Sequence, residues 1–331
     1  MTKKTSVIIL SNLLLLIVLL VSADFLVYLN CKYDYQKQHS KQILKNYPFQ
    51  SYTANYKSGF YNPSFQFFEK FFSNKDLKWY FRPFCTDKNN TKAPVIIFGC
   101  SYAYGWQLEN NQTFHYKLSE LTDRNVYNFS LSGCGIQHMF FFLENNIDGL
   151  ISGQKPEYAV FIYIPSHLRR LQKNIFPSIQ HNGINLKYDI KNDKLKLQKH
   201  SSSFLYKTFI VKKSFSLIDK IQENYNPNYK NKSYLLAKKI FLESKKNLEE
   251  KYPGIKFIIL NFQTENDTES NYELPFFFDE LKKDGFIIVN SGDLAGRKFR
   301  YNSEDMTKDG YHPSEAAWDM ILPKFIKETG M

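Results

Sequence analysis

The sequence contains few cysteines, only four among 331 residues. None of them stands in a C-x-x-C pair, the spacing that is typical of structural zinc sites. Histidines also do not cluster with aspartates and glutamates in the way that catalytic metal sites require. The sequence therefore predicts neither a metal ion nor another cofactor.

The chain also lacks a dense block of arginine and lysine, although 44 basic residues outweigh 32 acidic ones and give a net charge of +12. Its lysines are spread along the whole length, which is typical of solvated faces rather than of a surface that binds nucleic acid. We find no internal repeats and no low-complexity tract. The length fits one large domain or two small ones, and we expect no nucleic-acid partner.

The sequence does have a long apolar stretch at its N-terminus. Lys3 and Lys4 precede a nearly all-aliphatic run, so residues 1–29 are predicted to be a membrane anchor or signal segment. The small residues at 21–23 fit a signal-peptidase site, but apolar residues resume beyond Asp24 and favour a retained single-pass anchor. The lysines favour a cytoplasmic N-terminus, which places the rest of the chain outside the inner membrane, in the periplasm or at the cell surface. Secretion after cleavage is the alternative.

Beyond this stretch the pattern changes twice. Residues 30–92 are polar and aromatic with sparse periodicity, which indicates an irregular extension packed on a larger domain. From residue 93 to 331 the pattern becomes regular, except for an insertion at about 175–230. Within that insertion, residues 184–198 alternate apolar and polar side chains around Asn192-Asp193, which predicts an exposed hairpin.

In the regular region, apolar runs of strand length alternate with segments of helical periodicity. The predicted strands cover residues 94–99, 126–133, 158–165, 255–262 and 286–292, and the predicted helices cover 113–122, 136–147, 233–252 and 314–328. Such alternation predicts an α/β fold with a parallel sheet covered by helices on both faces. In such a sheet, functional residues lie at the carboxyl ends of the strands.

A serine and a histidine stand at two such places. Ser101 follows the first predicted strand in "FGCSYAYG", and the segment "DGYHP" places Asp309 and His312 between the fifth strand and the last helix. Three residues of separation let the carboxylate orient the imidazole, which could then take a proton from the serine hydroxyl. Each piece alone is common by chance, but their order along the chain strengthens the hypothesis of a catalytic triad.

These segments resemble the first and last sequence blocks of the SGNH/GDSL hydrolase family, with Cys100 in place of the aspartate of the first block. The stretch "VYNFSLSGCGIQHM" resembles the second block, in which a glycine N–H helps to form the oxyanion hole. The resemblance spans about 93–328. It implies a flavodoxin-like three-layer sandwich with a five-stranded parallel sheet, a Ser101–His312–Asp309 triad, and ester or acyl-transfer chemistry. It also implies an oxyanion hole formed by the N–H of Ser101 and that of Gly133 or Gly135.

The third block departs from the family pattern, which is Gly-x-Asn-Asp after the third strand. Here the chain reads "IPSHLRR", and His167 falls about where the asparagine would stand. Its imidazole N–H could donate to an oxyanion, or the ring could be a buried histidine held by a backbone group. Arg169 and Arg170 could bind an anionic substrate group or pair with surface acids. His138, which opens the helix after the second block, could reach the pocket or only pack.

Two of the cysteines, Cys100 and Cys134, adjoin the first and second blocks. They could form a disulfide in an oxidising compartment, or they could pack as two buried reduced thiols.

The sequence thus predicts an envelope-anchored serine esterase or O-acyltransferase. Its expected substrates are acyl esters of cell-surface glycan or lipid, and its expected intermediate is an acyl-serine. The alternative is a catalytically impaired domain that binds glycan or an envelope-assembly protein. Both interpretations expect an inner membrane contact through the N-terminal helix.

Overall fold

The computed structural model describes residues 92–130, 133–144, 147–149, 151, 153–171, 188–197, 227–265 and 276–331. The predicted anchor at 1–29, nearly all of the extension at 30–92 and most of the insertion at 175–230 lie outside these ranges. Within them, no helix has both the length and the apolar composition needed to cross a bilayer. The anchor and the domain boundaries therefore stay predictions.

The predicted parallel sheet is confirmed, and it has five strands. The strands are β1 Val95–Phe98, β2 Val126–Asn128, β3 Tyr158–Tyr163, β6 Lys256–Asn261 and β7 Ile287–Asn290, while β4 Tyr188–Lys191 and β5 Lys194–Leu197 form the predicted antiparallel hairpin. The order across the sheet is β2-β1-β3-β6-β7, with every pair parallel. Numbering these five strands consecutively gives the order 2-1-3-4-5, which is that of flavodoxin-like folds.

The helices that cover this sheet include all four predicted ones. In chain order they are α1 Ser101–Tyr104, α2 Phe114–Thr122, α3 Ile136–Glu144, α4 Ser166–Leu171, α5 Pro227–Lys251, α6 Phe277–Lys283, α7 Ser291–Ala295 and α8 Glu315–Thr329. The predictions missed α1, α4, α6 and α7, because one or two turns contain too few residues to display a helical period.

Each face of the sheet carries its own hydrophobic layer. Along β1, Val95 and Ile97 face a core built with α2 and α8, while Ile96 and Phe98 face a second core built with α3 and α5. All four side chains are buried. Burial on both faces explains why the strands read as continuous apolar runs instead of alternating patterns.

The second strand is shorter than predicted. The pattern predicts a strand over 126–133, but β2 ends at Asn128, whose partner Ile97 is the last residue of β1 that pairs with it. Two residues beyond Ile97 the first strand turns away at Gly99, so a longer β2 would have no neighbour to which it could bond. The chain leaves the sheet instead and enters the loop of the second block.

Candidate active site

The turn from β1 into α1 places Ser101 at the carboxyl edge of the sheet. Gly99 makes this turn possible, because a Cβ at its position would lie 2.7 Å from the Cβ of Ala103 and 3.2 Å from the carbonyl oxygen of Ile162 in β3. A side chain there would push α1 off the neighbouring strand. Ser101 also lies at the point where the strand order reverses, between β1 and β3, whose connections leave in opposite directions. Ligands bind at this point in open α/β sheets.

The three predicted triad residues meet at this edge. The Nε2 atom of His312 lies 2.8 Å from the Oγ atom of Ser101, and the Nδ1 atom of His312 lies 2.6 Å from the Oδ2 atom of Asp309. When Nδ1–H donates to the carboxylate, Nε2 is left as the acceptor for the serine hydroxyl. The arrangement can therefore take the proton of Ser101 and hold the resulting positive charge beside a carboxylate.

Asp309 is held as an anion by its surroundings. Burial raises the pKa of its carboxyl, but hydrogen bonding and charge interaction with His312, together with backbone N–H donors, lower that pKa to about 2. Its Oδ1 accepts bonds from the backbone N–H groups of Tyr311 and His312 and from the hydroxyl of Thr307, at 2.9, 3.1 and 2.9 Å. These three donors fix which oxygen faces the imidazole.

The loop that carries the pair is fastened to the start of α8. The N–H of Thr307 donates to the carbonyl of His312 at 2.7 Å, which closes the loop around Asp309. Just before it, the carboxylate of Asp305 accepts two bonds from Arg297, at 2.6 and 2.7 Å, and the N–H of Ser314 donates to the carbonyl of Asp305. The segment from 305 to 314 is thus bonded at both ends, so His312 has a defined position relative to the sheet.

Aromatic side chains surround the imidazole. The ring of Tyr102 lies 5.4 Å from that of His312, and the ring of Trp106 lies 6.1 Å from it. The hydroxyl of Tyr102 donates to the carbonyl of Tyr311 at 2.7 Å and ties α1 to the histidine loop. Tyr311 itself is 59% exposed and packs against Tyr301. The imidazole of His312 is therefore flanked by aromatic surface that is partly open to solvent.

Asn128, the last residue of β2, lies at the site although no motif in the sequence indicated it. Its side-chain NH₂ group lies 3.1 Å from the carbonyl oxygen of Ala103, to which it donates, and 3.0 Å from Nδ1 of His115. Its oxygen accepts the N–H of Ser130 at 3.0 Å. The buried amide of Asn128 thus bonds α1 to the loop of the second block. An asparagine followed by turn residues at a strand exit is the signal that could have indicated it.

The two glycines of the second block have different surroundings. The N–H of Gly135 donates to Nδ1 of the buried His138 at 2.9 Å, so that donor is already engaged. The N–H of Gly133 has no acceptor in the described part of the chain, and this residue has a φ of 83°, which favours glycine. Between them, the carbonyl of Cys134 accepts a hydrogen bond from the guanidinium of Arg170.

His167 is fully buried among aromatic rings. Its ring packs edge-on against Phe161 and Tyr163, with centroids 5.2 and 5.7 Å away, and its Nδ1 accepts the N–H of Ile164 at 3.3 Å. These contacts match the core histidine that the sequence left open as an alternative. Arg170 is also buried instead of pairing with surface acids, and the side chain of Arg169 lies outside the described part.

Cys100 and Cys134 are not joined by a disulfide in the structure, and both are buried. They belong to the cores on opposite faces of the sheet, so the thiols do not face each other. Of the two alternatives that the sequence allowed, the structure has the reduced pair.

We expect both thiols to resist iodoacetamide in the native protein, because burial keeps the reagent away. After denaturation without reductant, both should be alkylated, and peptide mass mapping would measure this for each cysteine. Alkylation that requires a reductant would instead indicate a disulfide.

In the described ranges, no group of three or more His, Cys, Asp or Glu side chains is arranged to hold a metal ion.

No protein-family model matches the chain, and no curated protein matches it either. Several solved structures do. One from Desulfitobacterium hafniense, described as a lipolytic protein of the G-D-S-L family, is 12% identical, with a TM-score of 0.42 over 72% of this chain and 99% of its own. The esterase EstA from a Pseudoalteromonas species is 12% identical, with a TM-score of 0.39 over 72% of this chain and 97% of its own.

An acetylxylan esterase from Geobacillus stearothermophilus is 11% identical, with a TM-score of 0.39 over 74% of this chain and 97% of its own. Lipolytic proteins of the G-D-S-L family, which the first, second and last sequence blocks resemble, are among the structural neighbours of this chain.

Proposed function

We propose that this chain is an envelope-anchored serine esterase or O-acyltransferase of the SGNH/GDSL type. The observation that carries the proposal is the continuous set of contacts from Ser101 to His312 to Asp309, at 2.8 and 2.6 Å. A domain that only binds a ligand has no need for a base within reach of a serine hydroxyl and a carboxylate behind that base.

In the first half of the reaction, Nε2 of His312 takes the hydroxyl proton as Oγ of Ser101 attacks the ester carbonyl. The carbonyl electrons move to its oxygen and form a tetrahedral oxyanion. When this intermediate collapses, the bond to the leaving alkoxide breaks, and His312 gives it the proton. The products of this half are an alcohol and an acyl-Ser101.

In the second half, water or another hydroxyl attacks the acyl-serine, and His312 takes its proton. Collapse of the second oxyanion returns the proton to Oγ of Ser101 and releases an acid or a new ester. Hydrolase and transferase share every one of these steps, and they differ only in the acceptor. Asp309 stays ionised throughout and stabilises the imidazolium that forms twice.

The oxyanion needs donors that are already in position. The N–H of Ser101 lies in the first turn of α1, where backbone N–H groups have no helical acceptor. We assign the second donor to Gly133, since the N–H of Gly135 is bonded to His138. Loss of one such donor typically lowers kcat by about 10²–10³. His167 remains a weaker candidate, because its ring packs on Phe161 and Tyr163.

The surface near His312 supports a glycan or lipid ester as substrate. Trp106 and the exposed Tyr311 offer apolar faces on which a sugar ring or an acyl chain could pack. The sequence-based anchor at residues 1–29 supports a location at the inner membrane with the site on its outer side. There, such esters would be in reach, and an assembly protein could present the acceptor.

The test is a fluorophosphonate probe applied to the full-length protein in detergent. The activated hydroxyl of Ser101 should displace fluoride and form one covalent adduct, measured as a mass increase of the intact protein. Ser101→Ala should form none, since it lacks the nucleophile, while Ser130→Ala, which changes another buried serine of the same edge, should still be labelled.

Hydrolysis of p-nitrophenyl acetate by the same protein would then report the esterase reaction, and acetylated sugars would be assayed as donors. No adduct on folded protein, together with no hydrolysis, would contradict the proposal. That result would favour the binding-domain alternative.

A further inference from the structure

We propose that Arg170 and His138 are positioning residues that hold the Cys134–Gly135 peptide and thereby aim the N–H of Gly133 at the oxyanion. This inference rests on the proposed function, because an oxyanion forms only if Ser101 attacks an acyl group. It concerns residues of α3 and α4, which lie outside the triad.

The first observation is that one peptide group is bonded on both sides. Its carbonyl, from Cys134, accepts from the guanidinium of Arg170. Its N–H, from Gly135, donates to Nδ1 of His138 at 2.9 Å. Because a trans peptide is planar with its C=O and N–H pointing in opposite directions, two such bonds fix its orientation. The peptide that carries the N–H of Gly133 lies two peptide groups earlier, so the fixed group anchors the end of the turn from which that N–H projects.

The second observation is that both partners are themselves immobilised. His138 is 1% exposed and Arg170 is 9% exposed. The main-chain carbonyl of Arg170 accepts the side-chain NH₂ of Gln137 at 3.3 Å, which ties α4 to α3. A Cβ on Gly135 would lie 2.8 Å from the Oε1 atom of Gln137, so the loop is packed closely against this pair of helices.

The third observation is the charge of Arg170. No carboxylate pairs with it in the part of the chain that the structure describes, and its buried Nε has no hydrogen-bond partner there. A buried unpaired cation costs stability, and a neutral donor would hold a carbonyl at less cost. Next to a loop that faces a developing negative charge, however, a fixed positive charge lowers the energy of the transition state. The orientation of the loop and the positive charge of Arg170 both act on the formation of the oxyanion.

The geometry also explains the choice between the two glycines. Gly135 is committed to His138, and Gly133 lies one residue before the fixed peptide, with a φ of 83°. Such a residue would rotate readily if its neighbour were free. The two side chains therefore provide rigidity that a glycine-rich loop lacks.

The test compares Arg170→Met with Arg170→Lys in the full-length protein. Methionine keeps the length and apolar packing of the side chain but removes the donor and the charge. We expect it to lower kcat for p-nitrophenyl acetate by about 10- to 100-fold, part of the loss typical of a missing oxyanion donor. KM should change less than about threefold, because the ester carbonyl interacts only weakly with the oxyanion-hole donors before the oxyanion forms. Lysine, which keeps a charge and a donor, should restore most of kcat.

Arg124→Met is the matched control. Arg124 is also largely buried and donates to a backbone carbonyl, that of Ala93, at 2.6 Å. That carbonyl lies just before β1, at the opposite edge of the sheet from Ser101. Its replacement should lower the melting temperature without a comparable loss of kcat.

Variants of His138 provide a second test, which remains possible if the protein does not fold with a replacement at Arg170. His138→Gln keeps an acceptor for the N–H of Gly135, and His138→Leu removes it, so only the leucine variant should lose kcat.

A wild-type protein without probe adduct or esterase activity would overturn the proposed function, and this inference with it. An active wild type would overturn the inference alone in either of two cases. The first is that Arg170→Met keeps its kcat, and the second is that it loses kcat only in proportion to the melting temperature, as Arg124→Met does.

Discussion

Replacing Asp309 with asparagine is expected to lower kcat by about 10⁴-fold in a protein that still folds. The backbone N–H groups of Tyr311 and His312 require an oxygen at the Oδ1 position, so the amide NH₂ must face Nδ1 of His312. The imidazole then accepts at Nδ1 and carries its proton on Nε2. A protonated Nε2 cannot take the proton of Ser101.

The measurement is kcat for p-nitrophenyl acetate, with thermal unfolding as the check on folding. Thr307→Val is the matched control, because the Thr307 hydroxyl donates to the same carboxylate at 2.9 Å but does not set the tautomer of His312. It should lower kcat by less than about tenfold. If the asparagine variant kept a tenth of the wild-type kcat, the imidazole would be working without its carboxylate.

The ionisation of Asp309 determines how this pair responds to pH. Burial alone would raise the carboxyl pKa, but the hydrogen bonds and charge of His312 hold it near 2, below the ordinary value of 3.8. A lowered pKa in the folded state stabilises the protein fully above the unfolded value, and this contribution is lost as the pH falls through the folded one. Above about pH 4 the carboxylate of Asp309 is therefore ionised, and its contribution to stability is fully present.

The sheet and the triad could be predicted from the sequence because both depend on regular features. Strands buried on both faces have continuous apolar runs, and the residues that follow their carboxyl ends meet at one edge. Ser101 and His312 stand 211 positions apart, yet Ser101 directly follows the first predicted strand and His312 comes just before the last predicted helix. The hairpin around Asn192 was predicted for a similar local reason, its turn chemistry.

The contacts made by residues of the second and third blocks could not be predicted from the sequence in the same detail. Which glycine N–H faces the site depends on the dihedral angles of residues 133–135, and nothing in "SGCG" distinguishes the two. The burial of Arg170 arises from the packing of α4 against α3, and the bond from Gly135 to His138 depends on the rotamer of one side chain at the start of α3. Such contacts depend on the directions in which side chains point from two short helices. The residue pattern does not predict these directions.

Replacing Gly99 with alanine is expected to lower the free energy of unfolding by about 2–3 kcal/mol. The new Cβ would meet the Cβ of Ala103 at 2.7 Å and the carbonyl oxygen of Ile162 at 3.2 Å. Both neighbours are buried, and the second belongs to the backbone of the central strand, so the strain is relieved most easily by moving α1. Chemical denaturation would measure the loss.

Movement of α1 also displaces Ser101, so the same variant should lose kcat because the bond from Ser101 to His312 lengthens. The double variant Gly99→Ala/Ala103→Gly removes the closer of the two contacts. Part of the stability and part of kcat should therefore return, beyond the sum of the single effects. A double variant no better than additive would show that the contact with the Ile162 carbonyl, or the backbone conformation of Gly99 itself, limits the turn. In that case glycine is required by the strand beside it and not by the helix that follows.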